Sequence, residues 1–488
     1  MKFKLTFFVL ISVVLISGSS ALAQFEGAVW EILTSDTLQH SLSQNPLAAT
    51  PMGLHITYAR SRGPGIGWEI YYRFLDYYGA WDDPVIVETL NPAFEPSISA
   101  REFGTFRIAI FYDAGGDIYG DVISSPWEIW DPVNLTNTGD NDCSVTSAID
   151  MEGTAHMSWV TEIGGEYKIA YGIIRNGAFT MEVLQESELG DFGNGAGPFT
   201  AIVDTIPHLF YRGVNFANYH IHHAYKIAPD SSWEIEFLYT PNIDDYRGSA
   251  AVDASGDIHL SISGNTGWGT PGHIYYRRHS YQTGSWSAPE LVSDTFSVVD
   301  GHIGITDNGV VFVAGAGVAG NIYTGDIFLS DNSSGVFEPE FLVNYPDGIC
   351  PALAFLPGPV GALILTGRIS YPGYENQELI YYGPQQTDVK FMPDTPKSFI
   401  SCGNYPNPFN SSTVIYVNGS PEFDARLDIF DILGRKIIEL SPFARYKDGL
   451  LFKWNGLNGE GEECSGGTYL YIANDASGEK SGRMTYLK

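Results

Sequence analysis

Arginine, tyrosine, tryptophan and carboxylate side chains recur beside glycine-rich or polar turns of this chain, and such groups bind polar ligands. The candidate ligand-binding residues are Arg60, Arg62, Tyr112, Asp113, Glu162, Tyr211, Arg212, Asp245, Arg247, Trp268, Arg368 and Tyr371. Arginines from separate segments could grip one carboxylate through paired hydrogen bonds, which an acidic sugar would require. The alternative is that each arginine pairs with a nearby carboxylate, since the chain is rich in Asp and Glu.

The segment NYHIHHAYK, which begins at Asn218, is the main histidine cluster. His220 and His222 would share one face of a strand, a spacing compatible with a metal ion. Because the sequence ties no further ligand to them, a packed or solvated strand is the favoured interpretation. With Tyr211 and Arg212, His220 could instead serve β-elimination of uronic-acid polysaccharides.

Two acidic pairs could hold Ca²⁺: Asp140 with Asp142, and Asp244 with Asp245. Neither pair has the spacing of a calcium loop. The sequence also has no nucleophile elbow, P-loop or dinucleotide fingerprint. No cofactor is therefore predicted, and Ca²⁺ is left open.

A repeat with a period near fifty residues supplies the elements that must position these side chains. IYYRFLDYYGAWDDPV, from Ile70, returns as IYYRRHSYQTGSWSAPE from Ile274. Each copy is an alternating strand, a turn, an aromatic anchor and a second strand, which indicates a hairpin. The anchors are Trp81, Trp127, Phe179, Trp233, Trp286 and Phe337, spaced 46 to 54 residues apart. A further strand pair precedes each hairpin, and four strands per unit predict a propeller blade.

The two ends of the repeat region predict how the ring closes. The seventh unit stops after NQELIYYGPQQTD without an anchor or a fourth strand, while AVWEILTSD, from Ala28, resembles a fourth strand. We therefore predict an all-β fold, a seven-bladed β-propeller over residues 24–390 that is closed by the N-terminal strand. The turns between second and third strands and between blades would form one face that carries the candidate residues.

Units such as AVDASGDIHLSIS, from Ala251, resemble the sialidase-like, BNR-type propeller repeats. The resemblance covers residues 24–390 and implies the propeller architecture. The family's Asp box, Ser-x-Asp-x-Gly-x-x-Trp, is only partly matched. Ser280, Gly284 and Trp286 are present, but Gln282 replaces the Asp and one residue is missing before the Trp. The resemblance therefore does not imply sialidase activity.

Residues 402–488 carry a different set of motifs. The motif residues are Asn404, Tyr405, Pro406, Asn407, Pro408, Phe409, Asn410, the 431–435 turn, Trp454, Gly456, Gly461, Gly467, Thr468, Tyr469 and Lys488. They resemble the C-terminal type A sorting domain of the type IX secretion system. The resemblance implies a small Ig-like β-sandwich and, as partner, the outer-membrane secretion machinery. Asn455 and Cys464 depart from the family pattern, and a generic Ig-like module is the alternative.

Residues 1–23 are typical of a cleaved signal peptide. Lys2 and Lys4 precede an apolar run, and Ala21-Leu22-Ala23 is a small-x-small cleavage pattern. The apolar run is too short to span a bilayer comfortably, and no later segment is suited to do so. Residues 391–401 are predicted to link the two domains.

The charge of the chain restricts the classes of ligand and partner that it can bind. With 26 basic and 57 acidic residues, the formal net charge is -31, which repels nucleic acid and anionic lipid. Neutral sugars, proteins and divalent cations remain as ligands. The four cysteines are too few and scattered for a disulfide scaffold, and a bridge between Cys402 and Cys464 is left open.

These observations predict a protein exported through the periplasm of a Gram-negative-type bacterium and then secreted or held at the cell surface. Its propeller would bind a glycan or protein ligand on the loop face. The alternative is a carbohydrate-active enzyme, a sialidase-like hydrolase or a polysaccharide lyase, that acts on acidic glycans. The fold does not decide, since propellers serve both functions. Three arginines and a tyrosine–carboxylate pair in one pocket would favour the enzyme.

Overall fold

The computed structural model of the protein describes most of the chain. The described residues are 28–32, 40–41, 45–62, 67–76, 81–88, 93–103, 105–126, 128–185, 187, 189, 197–215, 218–229, 231–240, 244–265, 271–293, 297–306, 308–319, 322–355, 362–368, 379–384, 401–405, 413–418, 426–432, 434–442, 444–446, 449–475 and 478–487. The chain divides into two compact units, Met1–Gln386 and Thr387–Lys488. Regular structure in the described ranges is β throughout, and these ranges contain no helix long and apolar enough to cross a membrane.

The first unit begins with β1 (Ala28–Ile32), followed by five antiparallel sheets in which strands pair largely in chain order. Sheet 1 contains β2 (His40–Ser41), β3 (Leu47–Thr50), β4 (Gly53–Ser61), β5 (Trp68–Asp76) and β6 (Val85–Glu88). Sheet 2 contains β7 (Ala93–Phe103), β8 (Thr105–Ala114), β9 (Asp117–Ile123) and β10 (Val133–Asn134). Sheet 3 contains β11 (Asn141–Ile149), β12 (Ala155–Ile163), β13 (Glu166–Arg175) and β14 (Ala178–Leu184). Sheet 4 contains β15 (Phe199–Val203), β16 (Ile206–Asn215), β17 (Asn218–Lys226) and β18 (Trp233–Leu238). Sheet 5 contains β19 (Asp244–Val252), β20 (Ile258–Asn265), β21 (Gly272–Ser280), β22 (Ser285–Trp286) and β23 (Glu290–Leu291).

Sheet 6 joins the end of the first unit to its beginning. It contains β24 (Val298–Ile305), β25 (Val311–Ala319), β26 (Ile322–Asp331), β27 (Glu338–Phe355), β28 (Ala362–Arg368), β29 (Leu379–Pro384) and β1. The early part of β27 pairs with β26 and its later part with β28, so β27 ends one four-stranded group and starts the next. β1 pairs with β29, and Ile32 lies opposite Ile380. This pairing confirms that the N-terminal strand completes the last group.

The first strands of the groups contact one another in a closed cycle. The order is β3, β7, β11, β15, β19, β24, β27 and again β3. Hydroxyl side chains permit the close approach: Ser147 Oγ lies 3.2 Å from Ser97 Oγ, and Thr146 Oγ1 donates to the Pro198 carbonyl at 2.9 Å. We call the space inside this cycle the channel. Antiparallel sheets arranged in this way form a β-propeller.

Four second strands carry a buried histidine that bonds to the third strand, and we call these networks the histidine ties. In sheet 3, His156 Nε2 donates to Asp150 Oδ2 at 3.1 Å, and its Nδ1 accepts from the Tyr171 hydroxyl at 2.5 Å. The other ties are Thr50, His55 and Tyr72 in sheet 1; His208, His223 and Glu236 in sheet 4; and Asp253, His259 and Tyr276 in sheet 5.

An aromatic ring from the following sheet packs on each tie. The ring-centroid distances are 5.4 Å for Trp130 and Tyr72, 5.0 Å for Trp233 and Tyr171, 5.4 Å for Trp286 and His223, and 4.9 Å for Phe337 and Tyr276. Each pair closes the seam between two consecutive sheets. At these four seams, aromatic residues therefore recur with the period of the repeat because each one seals the preceding sheet. Trp127 lies outside the described residues.

The second unit contains two antiparallel sheets that share one core. Sheet 7 contains β30 (Ser401–Tyr405), β31 (Thr413–Asn418), β34 (Ala444–Tyr446) and β35 (Gly449–Trp454), and sheet 8 contains β32 (Arg426–Asp431), β33 (Lys436–Leu440), β36 (Gly467–Asp475) and β37 (Gly478–Tyr486). Phe452 and Trp454 of sheet 7 pack with Leu427 and Tyr471 of sheet 8. Cys464 is a buried free thiol, so it forms no bridge.

Candidate functional site

The candidate site lies where the first strands begin. Five of the described first strands, β7, β11, β19, β24 and β27, contain a bulge near that end. Glu95, Ser144 and Asp300 lie in three of these bulges with φ of 46°, 58° and 54°. Positive φ is unfavourable for residues with a Cβ, and bulges and strained residues concentrate at functional sites. We use the term channel mouth for Glu95, Asp113, Ser144, Asp245, Arg247 and Asp300.

The side chains of Glu95, Asp113 and Ser144 form one cluster between sheets 2 and 3. Ser144 Oγ donates to Glu95 Oε2 at 2.8 Å. The carboxyl of Asp113, near the end of β8, accepts the backbone N–H groups of Phe94 and Ser144. Asp113 Oδ1 is buried and has no hydrogen-bond partner among the described residues.

The Asp113 carboxyl is an unusually weak acid. Burial, and secondly the charge of Glu95, raise its pKa to about 7, although two backbone N–H groups act in the opposite direction. A carboxyl group with such a pKa can exchange its proton at neutral pH, as general acids and bases do. Burial and the same carboxylates raise the pKa of the neighbouring Cys143 thiol to about 12, so this thiol stays protonated.

His220 has a carboxylate neighbour that sequence spacing does not reveal. Its Nδ1 lies 3.6 Å from Oδ2 of Asp245 on the next sheet, and both residues are buried. Burial raises the pKa of Asp245. Nearby in the chain, the Arg212 guanidinium lies 3.7 Å from the centroid of the Tyr219 ring. His222 packs instead against Tyr211, with 5.3 Å between ring centroids.

The predicted arginines bond to neighbours at separate places. Arg60 Nη1 donates to the Tyr71 hydroxyl at 2.7 Å, and that hydroxyl donates to Glu69 Oε2 at 2.8 Å. Arg62 Nε lies 3.4 Å from Glu69 Oε1. Arg247 Nη1 lies 3.4 Å from Asp300 Oδ1. A tyrosine–carboxylate pair is thus present in sheet 1, but it is held by two arginines, and Tyr71 is only 6% exposed.

Several other predicted site residues lie in the core or outside the described ranges. Tyr112 and Tyr211 are buried in clusters between sheets. Trp268 and Tyr371 lie outside the described residues, and the structure describes only the backbone of Arg368, at the end of β28. Glu162 pairs with Asn141 at the mouth end of sheet 3.

Part of the motif that resembles a sorting domain lies in the described residues. Asn404 and Tyr405 end β30, and residues 406–410 lie outside the described residues. Gly456 has φ of 75°, and a Cβ there would lie 2.6 Å from the Tyr486 ring. Tyr469 and Trp454 pack with 4.8 Å between ring centroids. The motif residues described here therefore shape the core of the second unit.

Sequence reasoning misses Glu95, Ser144 and Asp300. They stand in the segments EPS, SVT and DGH, which occupy equivalent places just before the small residues of the first strands. Alignment of the repeat copies on these strands would have revealed them.

The described residues offer no arrangement of three or more His, Cys, Asp or Glu side chains suited to a metal ion. Asp142, one of the acidic residues considered for Ca²⁺, instead accepts a hydrogen bond from Trp159 Nε1 at 3.0 Å. Both residues are buried.

Comparisons with known proteins give structural similarity only. No family model and no curated protein matches the chain. A polysaccharide lyase, an ulvan lyase bound to a saccharide of glucuronic acid and sulfated rhamnose, has a TM-score of 0.51 and 14% identity, over 72% of this chain and 96% of that chain. The phage phi92 endosialidase has a TM-score of 0.48 and 9% identity, over 90% and 78%. The alpha-L-arabinanase of Penicillium chrysogenum has a TM-score of 0.40 and 12% identity, over 73% and 100%. The likeness to the lyase supports the β-propeller fold.

Proposed function

We propose that this protein is exported and binds a neutral glycan at the channel mouth of a seven-bladed β-propeller. The observation that carries the proposal is the set of bulged first strands, which bring Glu95, Ser144 and Asp300 to the same end of the sheets. Fixed carboxylates and hydroxyls match sugar hydroxyl groups, which both donate and accept hydrogen bonds. The cycle of first strands and the pairing of β1 with β29 support seven blades.

The charges at the mouth favour a neutral glycan over an acidic one. Arg247 already pairs with Asp300, and Glu95 adds negative charge. The chain as a whole carries -31. An anionic polysaccharide would be repelled as it approached, whereas a neutral one would not.

Glycan-array binding and calorimetry on the full-length protein test this function. Glu95→Gln and Asp300→Asn should each weaken binding of a neutral glycan at least tenfold, since each removes a charged acceptor. Glu234→Gln removes an exposed carboxylate of β18 and serves as the matched control with unchanged affinity. Binding of acidic polysaccharides alone, or of no glycan, would contradict the proposal.

A second candidate function, hydrolysis of the bound glycan, is favoured by the pKa of Asp113. A carboxyl group that holds its proton up to about pH 7 can protonate a glycosidic oxygen. In that case Asp113→Asn abolishes release of reducing sugar but retains binding, and the wild-type rate falls above about pH 7. Unsaturated products from a uronic-acid polysaccharide would point instead to the lyase alternative at His220.

The proposal that the protein is exported rests on two segments of the sequence. Residues 1–23 have the signal-peptide pattern, and residues 402–488 resemble the type IX sorting domain. The two sheets that share a core support an Ig-like sandwich there. A chain that lacks residues 402–488 should stay in the periplasm of the source bacterium when cell fractions are compared. Secretion of that truncated chain would contradict the role of the second unit.

A further inference from the structure

The His302 side chain projects across the channel. His302 belongs to β24, and its Nδ1 accepts a hydrogen bond from the Leu353 N–H of β27 at 3.1 Å. Its ring also packs edge-on against Phe199 of β15, with 6.3 Å between centroids. β15 and β24 are not consecutive in the cycle of first strands. A side chain that contacts both β15 and β27 must therefore lie in the enclosed space.

The hydrogen-bonding state of this ring is defined by its contacts. Because Nδ1 accepts, the neutral ring carries its proton on Nε2. Burial, and secondly the charge of Arg247, lower the pKa of His302 to about 4, so the ring is neutral at physiological pH. His302 is 9% exposed, and Nε2 has no hydrogen-bond partner among the described residues. A buried N–H without an acceptor is unfavourable, and native proteins contain few of them.

Arg247 and Asp300 supply complementary groups near this ring. Arg247 is close enough to His302 to disfavour its protonation, and Arg247 Nη1 lies 3.4 Å from Asp300 Oδ1. The two side chains are 33% and 18% exposed, so both reach solvent. The three residues thus combine two N–H donors and one carboxylate acceptor.

We propose that His302, Arg247 and Asp300 form a subsite inside the channel mouth for two adjacent hydroxyl groups of a neutral sugar residue. One hydroxyl oxygen accepts from His302 Nε2 while its proton is donated to Asp300. Arg247 donates to the second hydroxyl oxygen. This inference rests on the proposed glycan binding. It adds that one end of the glycan chain enters the channel, because the first strands enclose that space.

Ions fit this subsite less well than a hydroxyl group does. A metal cation would face the Nε2 proton and the charge of Arg247, which both disfavour it. An anion would face Asp300, whose carboxylate already lies beside Arg247. A sugar hydroxyl satisfies a donor and an acceptor together.

Cellotriose, mannotriose and arabinotriose, added to the full-length protein, are the probes for this subsite. At least one should bind by calorimetry and shift the Nε2 signal of His302 in long-range ¹H–¹⁵N NMR spectra. His302→Phe and Asp300→Asn should weaken that binding at least tenfold, and His302→Gln, which keeps an N–H donor, should recover part of it. Tyr281→Phe, which removes an exposed hydroxyl bonded to Asp204, should leave it unchanged.

The outcomes separate the subsite from the proposed function. If neither these trisaccharides nor any neutral glycan of the array binds, the proposed function fails. If one binds and Glu95→Gln weakens it while His302→Phe does not, the subsite is wrong and binding at the mouth stands. Thermal unfolding shows whether His302→Phe is folded. If it is not, the shift of the wild-type His302 signal decides.

Discussion

The two ends of the propeller sheets satisfy their polar groups in different ways. At the end where a first strand turns into a second, His156 and His259 each bond to a carboxylate and a tyrosine hydroxyl. At the channel mouth and just inside it, Asp113 Oδ1 and His302 Nε2 are buried without a hydrogen-bond partner among the described residues. Glu95 there also has a positive φ. The mouth end thus has strained residues inside its strands, whereas positive φ at the tie end falls in turns such as those at Asn176 and Asp204.

This difference separates stability from binding within each blade. Strained backbone and unsatisfied polar groups lower stability, so they persist where other contacts compensate and where function requires them. The histidine ties and the aromatic rings packed on them provide that compensation. Substitutions at the tie end should therefore affect folding, and those at the mouth should mainly affect binding.

The largest effect is expected from removal of a tie. Asp150→Ala leaves His156 without its carboxylate and removes the acceptor of the Glu152 and Thr154 backbone N–H groups. The free energy of unfolding should fall by about 3 kcal/mol, since a buried polar pair is broken. Urea unfolding at pH 7 measures it. Asp83→Ala, at an exposed carboxylate, should stay within about 0.5 kcal/mol of wild type, and equal losses in both variants would refute the role of the tie.

The two ends should also respond to pH with opposite sign. Burial lowers the pKa of His55, in the sheet 1 tie, from 6.5 to about 3. Below pH 6.5 the unfolded state binds a proton that the folded state does not, so this stabilisation is complete above pH 6.5 and is lost as pH falls. The loss is about 1.4 kcal/mol per pH unit. Between pH 7 and pH 5, wild type should therefore lose about 2 kcal/mol more than His55→Gln in urea unfolding.

At the channel mouth, Asp113 should give stability the opposite dependence on pH. Its pKa is raised from 3.8 to about 7, so its favourable contribution is complete below pH 3.8 and is lost as pH rises toward 7. Asp113→Asn should be more stable than wild type at pH 8 by about 1 kcal/mol, after allowance for solvent that reaches this half-buried carboxyl. A gain that is as large at pH 5 as at pH 8 would show that ionisation is not the cause.

Features that depend on local pattern were predictable from the sequence. Alternating residues and turns identify hairpins such as β5 with β6, and the WEI segment identifies β1 as a fourth strand. The candidate residues Arg62, just after β4, and Arg247, near the start of β19, were also identifiable. Their ion-pair partners, Glu69 and Asp300, were not, because Asp300 belongs to the following sheet.

Features that depend on strand register were not predictable. One extra residue in a strand such as β11, of nine residues, hardly disturbs its apolar alternation, so the bulge at Ser144 leaves little trace. The ties join residues on different strands, as His259 and Tyr276 show at a separation of 17 positions. Only the pairing of β20 with β21 brings those two side chains together.

The smallest effect on folding is expected at the bulge that contains Glu95, where a substitution should raise the free energy of unfolding. Glycine adopts φ of 46° without the Cβ penalty that Glu95 incurs, so Glu95→Gly should remove strain of about 1 kcal/mol. Loss of the hydrogen bond from Ser144 offsets part of this, which leaves a net gain of about 0.5 kcal/mol. Glycan affinity should nevertheless fall at least tenfold.

Asn176→Gly, at a hairpin turn with φ of 52°, is the matched control: it should stabilise slightly and bind like wild type. A Glu95→Gly variant that binds as tightly as wild type would mean that the strained bulge serves the backbone and not the ligand.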